Sequence, residues 1–207
     1  MKRLKEVENQ FTYSEYVSYV EELFKIGLVT GDEQIQGRLD STELNLQRMN
    51  RLNKHFKIEE ELESMLKEIE RPVTWYVISE GWCGDAAQNL PVLDKLAESS
   101  DALDLKIILR DENPEIMNQF LTNGSKSIPK LVAVDTNTDE IIGTWGPRPA
   151  GITAMVQQYK IENPVMVTED FHKELHLWYG RDKGRLLQAD FKSLLEEWNL
   201  AVCPSCN

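Results

Sequence analysis

The sequence predicts an α/β fold: a mixed four-stranded sheet flanked by helices, with helical N- and C-terminal extensions. Three observations carry this. Val73–Ser79 is an unbroken apolar and β-branched run, bounded by Pro72 and the Glu80-Gly81 break, as in a strand buried on both faces. It leads within a few residues into a helical pattern, with Ala86, Leu90, Leu93 and Ala97 at helical spacing. Further on, Asp135-Thr136-Asn137-Thr138-Asp139 has the composition of a hairpin turn between two more strand-like runs. Strands joined through a helix are parallel neighbours and strands joined by a tight turn are antiparallel, so the sheet is mixed.

Taken in order, residues 1–71 read as a helical N-terminal extension. Phe11-Thr12-Tyr13-Ser14-Glu15-Tyr16 carries a capping box, with Thr12 as N-cap, Glu15 three residues on, and Phe11 and Tyr16 placed as a hydrophobic staple. Tyr13, Tyr16, Val17, Val20 and Phe24 then make an apolar stripe that Gly27 stops. An aromatic stripe can line a ligand groove, but packing onto the core is the simpler expectation. Residues 31–37 read as a loop. Asp40 and Glu43 are placed to cap a second helix carrying Leu46, Met49, Leu52 and Phe56. A third spans 58–69, with Ile58, Leu62, Met65, Leu66 and Ile69 inward and Glu59, Glu60, Glu61 and Glu63 outward.

Residues 72–160 hold the sheet. The expected strands are 73–79, 104–110, 130–135 and 140–145, and the expected helices 85–98, 114–121 and 149–160. Residues 161–207 add one or two helices and a tail. Phe171, Leu175 and Trp178 form one stripe, and Leu187, Phe191, Leu194, Leu195 and Trp198 a stronger one. Isolated helices of this length are marginal in water, so both extensions are expected to pack on the core rather than stand as separate domains.

Composition narrows the function. A formal net charge of −12 over 207 residues argues against nucleic acid and anionic membrane surfaces, which need basic patches. No apolar run approaches the ~20 residues of a membrane span. The charged start, MKRLKEVENQ, lacks the apolar stretch of a secretion signal. Three cysteines make no closed disulfide framework. The expectation is a cytoplasmic, reducing compartment, where cysteines are catalytic, metal-bound or simply buried.

The chemistry centres on Trp82-Cys83-Gly84, between the first strand and its helix. A cysteine there lies at the positive end of the helix dipole among unpaired backbone N–H groups, and both features favour thiolate. Pro91 follows within the helix, then Asp111-Glu112-Asn113-Pro114 after the next strand, then Ser127-Ile128-Pro129 before another. In kind and order these features resemble the thioredoxin family: its W-C-G turn, its helix-kinking proline, its Asp-x-Asn-Pro and its cis-proline. The resemblance implies a thioredoxin-like core over residues 72–160, with an extended substrate pairing beside the cysteine at Pro129.

The departures from the family bear on function. Where disulfide-exchanging members carry Cys-Gly-Pro-Cys, this chain has Cys83-Gly84-Asp85-Ala86, so the resolving cysteine is replaced by Ala86. The family's proton-relaying aspartate falls at Val77 and its lysine partner at about Ile107. Asp85 next to the thiol opposes ionisation if its carboxylate is close.

Two function classes follow. In one, the protein is a monothiol thiol–disulfide oxidoreductase with Cys83 as nucleophile, Trp82, Gly84 and Asp85 in support, and Trp82 with Ile128 forming an apolar lip beside Pro129. In the other it is a binding module that keeps the cis-proline groove and has lost redox chemistry. The partners implied are a protein thiol or disulfide, or a small thiol such as glutathione, with no cofactor. Arg148, in Trp145-Gly146-Pro147-Arg148-Pro149, could meet an acidic ligand, although a solvated loop arginine is the simpler expectation. Cys203-Pro204-Ser205-Cys206 has dithiol spacing and could replace the missing resolving cysteine, although external resolution is preferred. With His172 and His176, four apart on one helix, Cys203 and Cys206 also make a candidate zinc set, in reversed finger order. A frayed terminus with incidental cysteines is the plainer alternative.

Overall fold

The computed structural model describes residues 2–165 and 168–201. In it β1 (Val73–Ser79), β2 (Leu103–Leu109), β3 (Lys130–Asp135) and β4 (Ile141–Trp145) form one sheet in the order β2-β1-β3-β4. β1 runs parallel to β2 and antiparallel to β3, and β3 pairs antiparallel with β4. Every residue of β1 is buried, as its unbroken apolar pattern requires. Val77 and Ile107 face each other across β1 and β2, both fully buried. The positions that carry the family's acid and lysine are therefore plain core contacts here.

Helices cover the sheet: α1 (Tyr13–Lys25), α2 (Gln36–His55), α3 (Glu60–Lys67), α4 (Gly84–Ala97), α5 (Pro114–Met117), α6 (Ala150–Glu162), α7 (Thr168–Asp182) and α8 (Arg185–Glu197). Thr12 caps α1, its hydroxyl accepting from Glu15 N while the Glu15 carboxylate accepts from Thr12 N. The staple differs from expectation. Phe11 stacks on Tyr19 at 5.2 Å, while Tyr16 turns into the core. The backbone of Phe11 bridges Ile107 in both directions, which covers part of the free edge of β2.

Three elements depart from the sequence reading. α2 begins at Gln36 with Ile35 as its N-cap, so Asp40 and Glu43 lie inside the helix. Its first buried positions are polar, Thr42 and Asn45, which hides the helical period there. α3 is shorter at both ends than 58–69, and α5 is a single turn where 114–121 was expected.

One core takes residues from the N-terminal helices, the sheet and α8. Tyr16, Met49 and Leu62 from the N-terminal helices and Leu187, Phe191 and Leu195 from α8 join Trp75, Val77 and Leu131 of the sheet. A smaller cluster joins Ile152 and Val156 of α6 to Phe171, Leu175 and Tyr179 of α7. α8 is also tied by polar contacts. Asp190 accepts from Trp145 Nε1 at 2.8 Å and from Ala150 N at 3.0 Å, and the Gln188 side-chain oxygen accepts from Glu59 N at 2.7 Å. Among the described residues no helix is long and apolar enough to cross a membrane.

α4 is buried along most of its length because α2 packs beside it. Asp94 is half-buried there, and burial, with Glu98 nearby, pushes its carboxyl up to about 7. A carboxyl raised from 3.8 in the folded state costs stability as pH rises from about 4 through 7. Asp94→Asn should therefore raise the unfolding free energy by at least about 1 kcal/mol at pH 8 and change it little at pH 4. Urea midpoints at the two pH values check this; an equal effect at both would refute it.

Candidate functional site

Cys83 is the N-cap of α4. Its Sγ lies 3.5 Å from Ala86 N, which donates to it, and the thiol donates to the Ile128 carbonyl at 3.3 Å. The Ile128–Pro129 peptide bond is cis, and this turn delivers that carbonyl to the sulfur. Helix start and proline turn thus meet at one atom. The expected lowering of the thiol pKa is outweighed. Burial, with only 8% of the residue exposed, and the neighbouring Asp85 push the thiol up to about 12. The N–H groups of Ala86 and Asp85 and the Arg148 guanidinium act in the other direction and lose. At pH 7 the thiol is almost wholly protonated.

Asp85 itself is buried and held on both oxygens. Oδ2 pairs with Arg148 Nη2 at 2.6 Å, and Oδ1 accepts from the Tyr179 hydroxyl at 2.9 Å. Asn89 Nδ2 reaches the Asp85 carbonyl at 2.8 Å and the Tyr179 hydroxyl at 3.3 Å. Burial raises the Asp85 carboxyl, while the Arg148 guanidinium and the Tyr179 hydroxyl, donating to its two oxygens, act to lower it. This corrects the reading of Arg148 as a solvated loop residue. In the loop that carries Arg148 the Gly146–Pro147 bond is cis, and Gly146 has φ +108°. A Cβ at Gly146 would overlap the carbonyl oxygen of Pro129, so the two proline turns pack directly on each other.

Trp82 forms no open apolar lip. The guanidinium groups of Arg38, at 4.1 Å, and Arg110, at 4.8 Å, both lie over its ring, and its Nε1 donates to the Thr30 carbonyl at 3.1 Å. Ile128 is buried in the main core. Glu80 is fully buried at the end of β1, with Oε1 accepting from Asp111 N at 2.8 Å and the Thr30 side chain also hydrogen-bonded to its carboxyl. Burial raises this carboxyl above the usual range. The sequence reading took Glu80 only as a strand break; a charged residue directly after a wholly apolar strand was the available signal.

On the other side α2 and α7 close over Gly84. A Cβ on Gly84 would sit 2.8 Å from the His176 ring and 3.7 Å from Arg48 Nη1. Glycine here admits both groups next to the cysteine. His176 Nδ1 lies 3.4 Å from the Gln88 side-chain nitrogen, and burial with the nearby Arg48 lowers its pKa to about 4, so the ring is neutral at pH 7. His172, one turn earlier, is exposed. The candidate zinc set is only half visible, because Cys203 and Cys206 lie outside the described residues. Among the described residues no three His, Cys, Asp or Glu side chains gather to hold a metal. Arg48, Tyr179 and Glu80 are the site neighbours that sequence reasoning missed.

Comparison with known proteins adds the following. A thioredoxin family model matches residues 33–160. No curated protein matches. Among solved structures, a protein of unknown function from Pseudomonas aeruginosa is 19% identical, with a TM-score of 0.52, covering 90% of this chain and 98% of that one. An HIV epitope scaffold is 20% identical, with a TM-score of 0.51 and the same coverages, 90% and 98%. At these identities the two structures speak to fold alone.

Proposed function

Because the chain belongs to the thioredoxin family, we propose that it is a thioredoxin-fold thiol protein in which Cys83 alone exchanges with disulfides. The observation that carries this is the placing of Cys83 Sγ between Ala86 N at the start of α4 and the Ile128 carbonyl of the Pro129 turn. In the exchange, Cys83 gives its proton to water and the thiolate attacks one sulfur of a disulfide. A mixed disulfide forms, and the other sulfur leaves as a thiolate that takes up a proton. Ala86 cannot resolve the mixed disulfide, so an external thiol such as glutathione does so. Its thiolate attacks the partner's sulfur, and Cys83 leaves as the thiolate and is reprotonated. The partners are protein disulfides or small thiols of a reducing, cytoplasmic compartment.

The geometry makes this thiol latent. A pKa near 12 leaves little thiolate at neutral pH. Even with the higher intrinsic reactivity of a basic thiolate, exchange at pH 7 should run about 100-fold slower than for a free cysteine. Burial also favours a second reading, a binding module without redox chemistry. Uptake of glutathione from its disulfide separates the two, followed by intact mass in a Cys203→Ser/Cys206→Ser background. The native protein should take up one glutathionyl group per chain, about tenfold faster per pH unit between pH 7 and 10, and none with Cys83→Ser. Uptake only in denaturant would refute exchange and leave binding.

A further inference from the structure

Beside Cys83 the surface carries a concentration of positive charge that a chain of net charge −12 does not predict. Two depressions adjoin at Arg51. One, of about 460 Å³, is lined by Arg48, Gln88 and His176, and Arg48 and His176 are the two side chains that a Cβ on Gly84, next to Cys83, would meet. The other, of about 470 Å³, has Leu52, Phe56 and Tyr179 as its apolar floor, with Lys57, Lys183 and Arg185 around it. Arg51 crosses between them above Gly180, where α7 has no side chain, and its Nη1 lies 3.9 Å from where a Cβ would be.

None of Arg48, Arg51, Lys57, Lys183 or Arg185 has a carboxylate within ion-pair distance among the described residues. The ion pairs nearest this groove belong to other cations. Lys173 pairs with Glu169 at 2.8 Å, and Glu59, the one acid lining the second depression, pairs with Lys192 at 2.9 Å. Arg48 is half-buried, and its guanidinium is disfavoured by burial and by Arg51 beside it. Arg185 acts to lower the pKa of the Asp182 carboxyl. Arg48 and Arg51 instead repel each other, and between low-dielectric walls such grouped cations focus field on an anion. Guanidinium forks suit carboxylate and phosphate oxygens.

We infer that the Arg48–Arg51 groove is a subsite for a small polyanionic thiol or its disulfide, with carboxylate or phosphate groups on the arginines and its less polar part over Leu52 and Phe56. That the bound molecule exchanges with Cys83 rests on the function proposed above; anion binding in the groove does not. Binding is measured by calorimetry on the full chain carrying Cys83→Ser, with reduced glutathione as the carboxylate probe and coenzyme A as the phosphate probe. At least one should bind, and Arg48→Gln and Arg51→Gln should each weaken it about tenfold or more with unchanged melting midpoints. Arg51 is exposed, so its variant keeps the test meaningful if Arg48→Gln perturbs Asn45, to which Arg48 donates at 2.7 Å. The stronger probe identifies the anion.

A second arm separates this inference from the exchange reading. With Cys83 intact, glutathione disulfide should load it faster than uncharged hydroxyethyl disulfide, and Arg51→Gln should remove that preference. Anion binding without loading by either disulfide would keep the groove and overturn exchange. Equal loading by both, unaffected by Arg51→Gln, together with no binding of either anion, would overturn the groove and keep exchange.

Discussion

Phe191→Ala should lower the unfolding free energy by roughly 3–5 kcal/mol, the usual cost of emptying an aromatic site in a packed core. Phe191 lies on α8 and is fully buried, with its ring 5.0 Å from Trp75 of β1, 5.6 Å from Trp145 of β4 and 6.3 Å from Trp198. Removing it takes support from the central strand as well as from the C-terminal helix. We propose on this ground that residues 1–71 and 161–207 fold as one unit with residues 72–160. Urea unfolding followed by tryptophan fluorescence and by circular dichroism should show one transition, shifted to lower denaturant. A variant that loses α8 signal while the sheet keeps its midpoint would mean that the extension is separate.

Arg148→Ala should cost about as much, roughly 3–5 kcal/mol at pH 8, because it leaves the Asp85 carboxylate buried with the Tyr179 hydroxyl as its remaining side-chain donor. The sign of the pH dependence follows from that carboxylate. Without its guanidinium the folded-state pKa of Asp85 moves further above the unfolded value, so the variant loses stability as pH rises from about 4 and recovers it in acid. The thiol reports the same change. Arg148 acts to lower the pKa of Cys83 and Asp85 to raise it, so Arg148→Ala should slow alkylation of Cys83. Asp85→Asn should speed it instead, by tenfold or so for each pH unit by which the thiol pKa falls. If both variants alkylate at the wild-type rate, the ion pair does not tune the cysteine. A pH-independent loss in Arg148→Ala would mean that the arginine contributes packing only.

Much of the fold was legible because its signals are local. The run from Val73 to Ser79 is apolar at every position, and the strand has those bounds. Thr12 and Glu15 form the capping box that their spacing predicts. The start of α2 was hidden because its buried face opens on Thr42 and Asn45, and apolar periodicity cannot register a polar residue that is buried to serve a neighbour. Asn45 is such a residue, donating to the Gly81 carbonyl at 3.0 Å just before the W-C-G turn. At 114–121, the chain after a single turn has too little periodic apolar pattern to decide where the helix stops, and α5 ends at Met117.

By itself the sequence determined the order of strands and helices, the thioredoxin-like arrangement, and Cys83 at a helix start with Ala86 where a second thiol would stand. The order of elements and the placing of Cys83 follow from side-chain period, turn chemistry and short spacings, which act within a few residues. The thioredoxin-like arrangement and the missing second thiol are what the resemblance to the family implies. What the tertiary structure decided is the chemistry of that cysteine. Tyr179 reaches Asp85 across 94 positions of chain, His176 comes from the same helix, and Arg148 and Arg48 arrive from the loop after β4 and from α2. A thiol pKa depends on burial and on charges a few ångströms away, and neither is encoded in the neighbouring residues. The dipole that the sequence places under Cys83 is present, but the desolvation that only packing supplies is larger, and the thiol stays protonated.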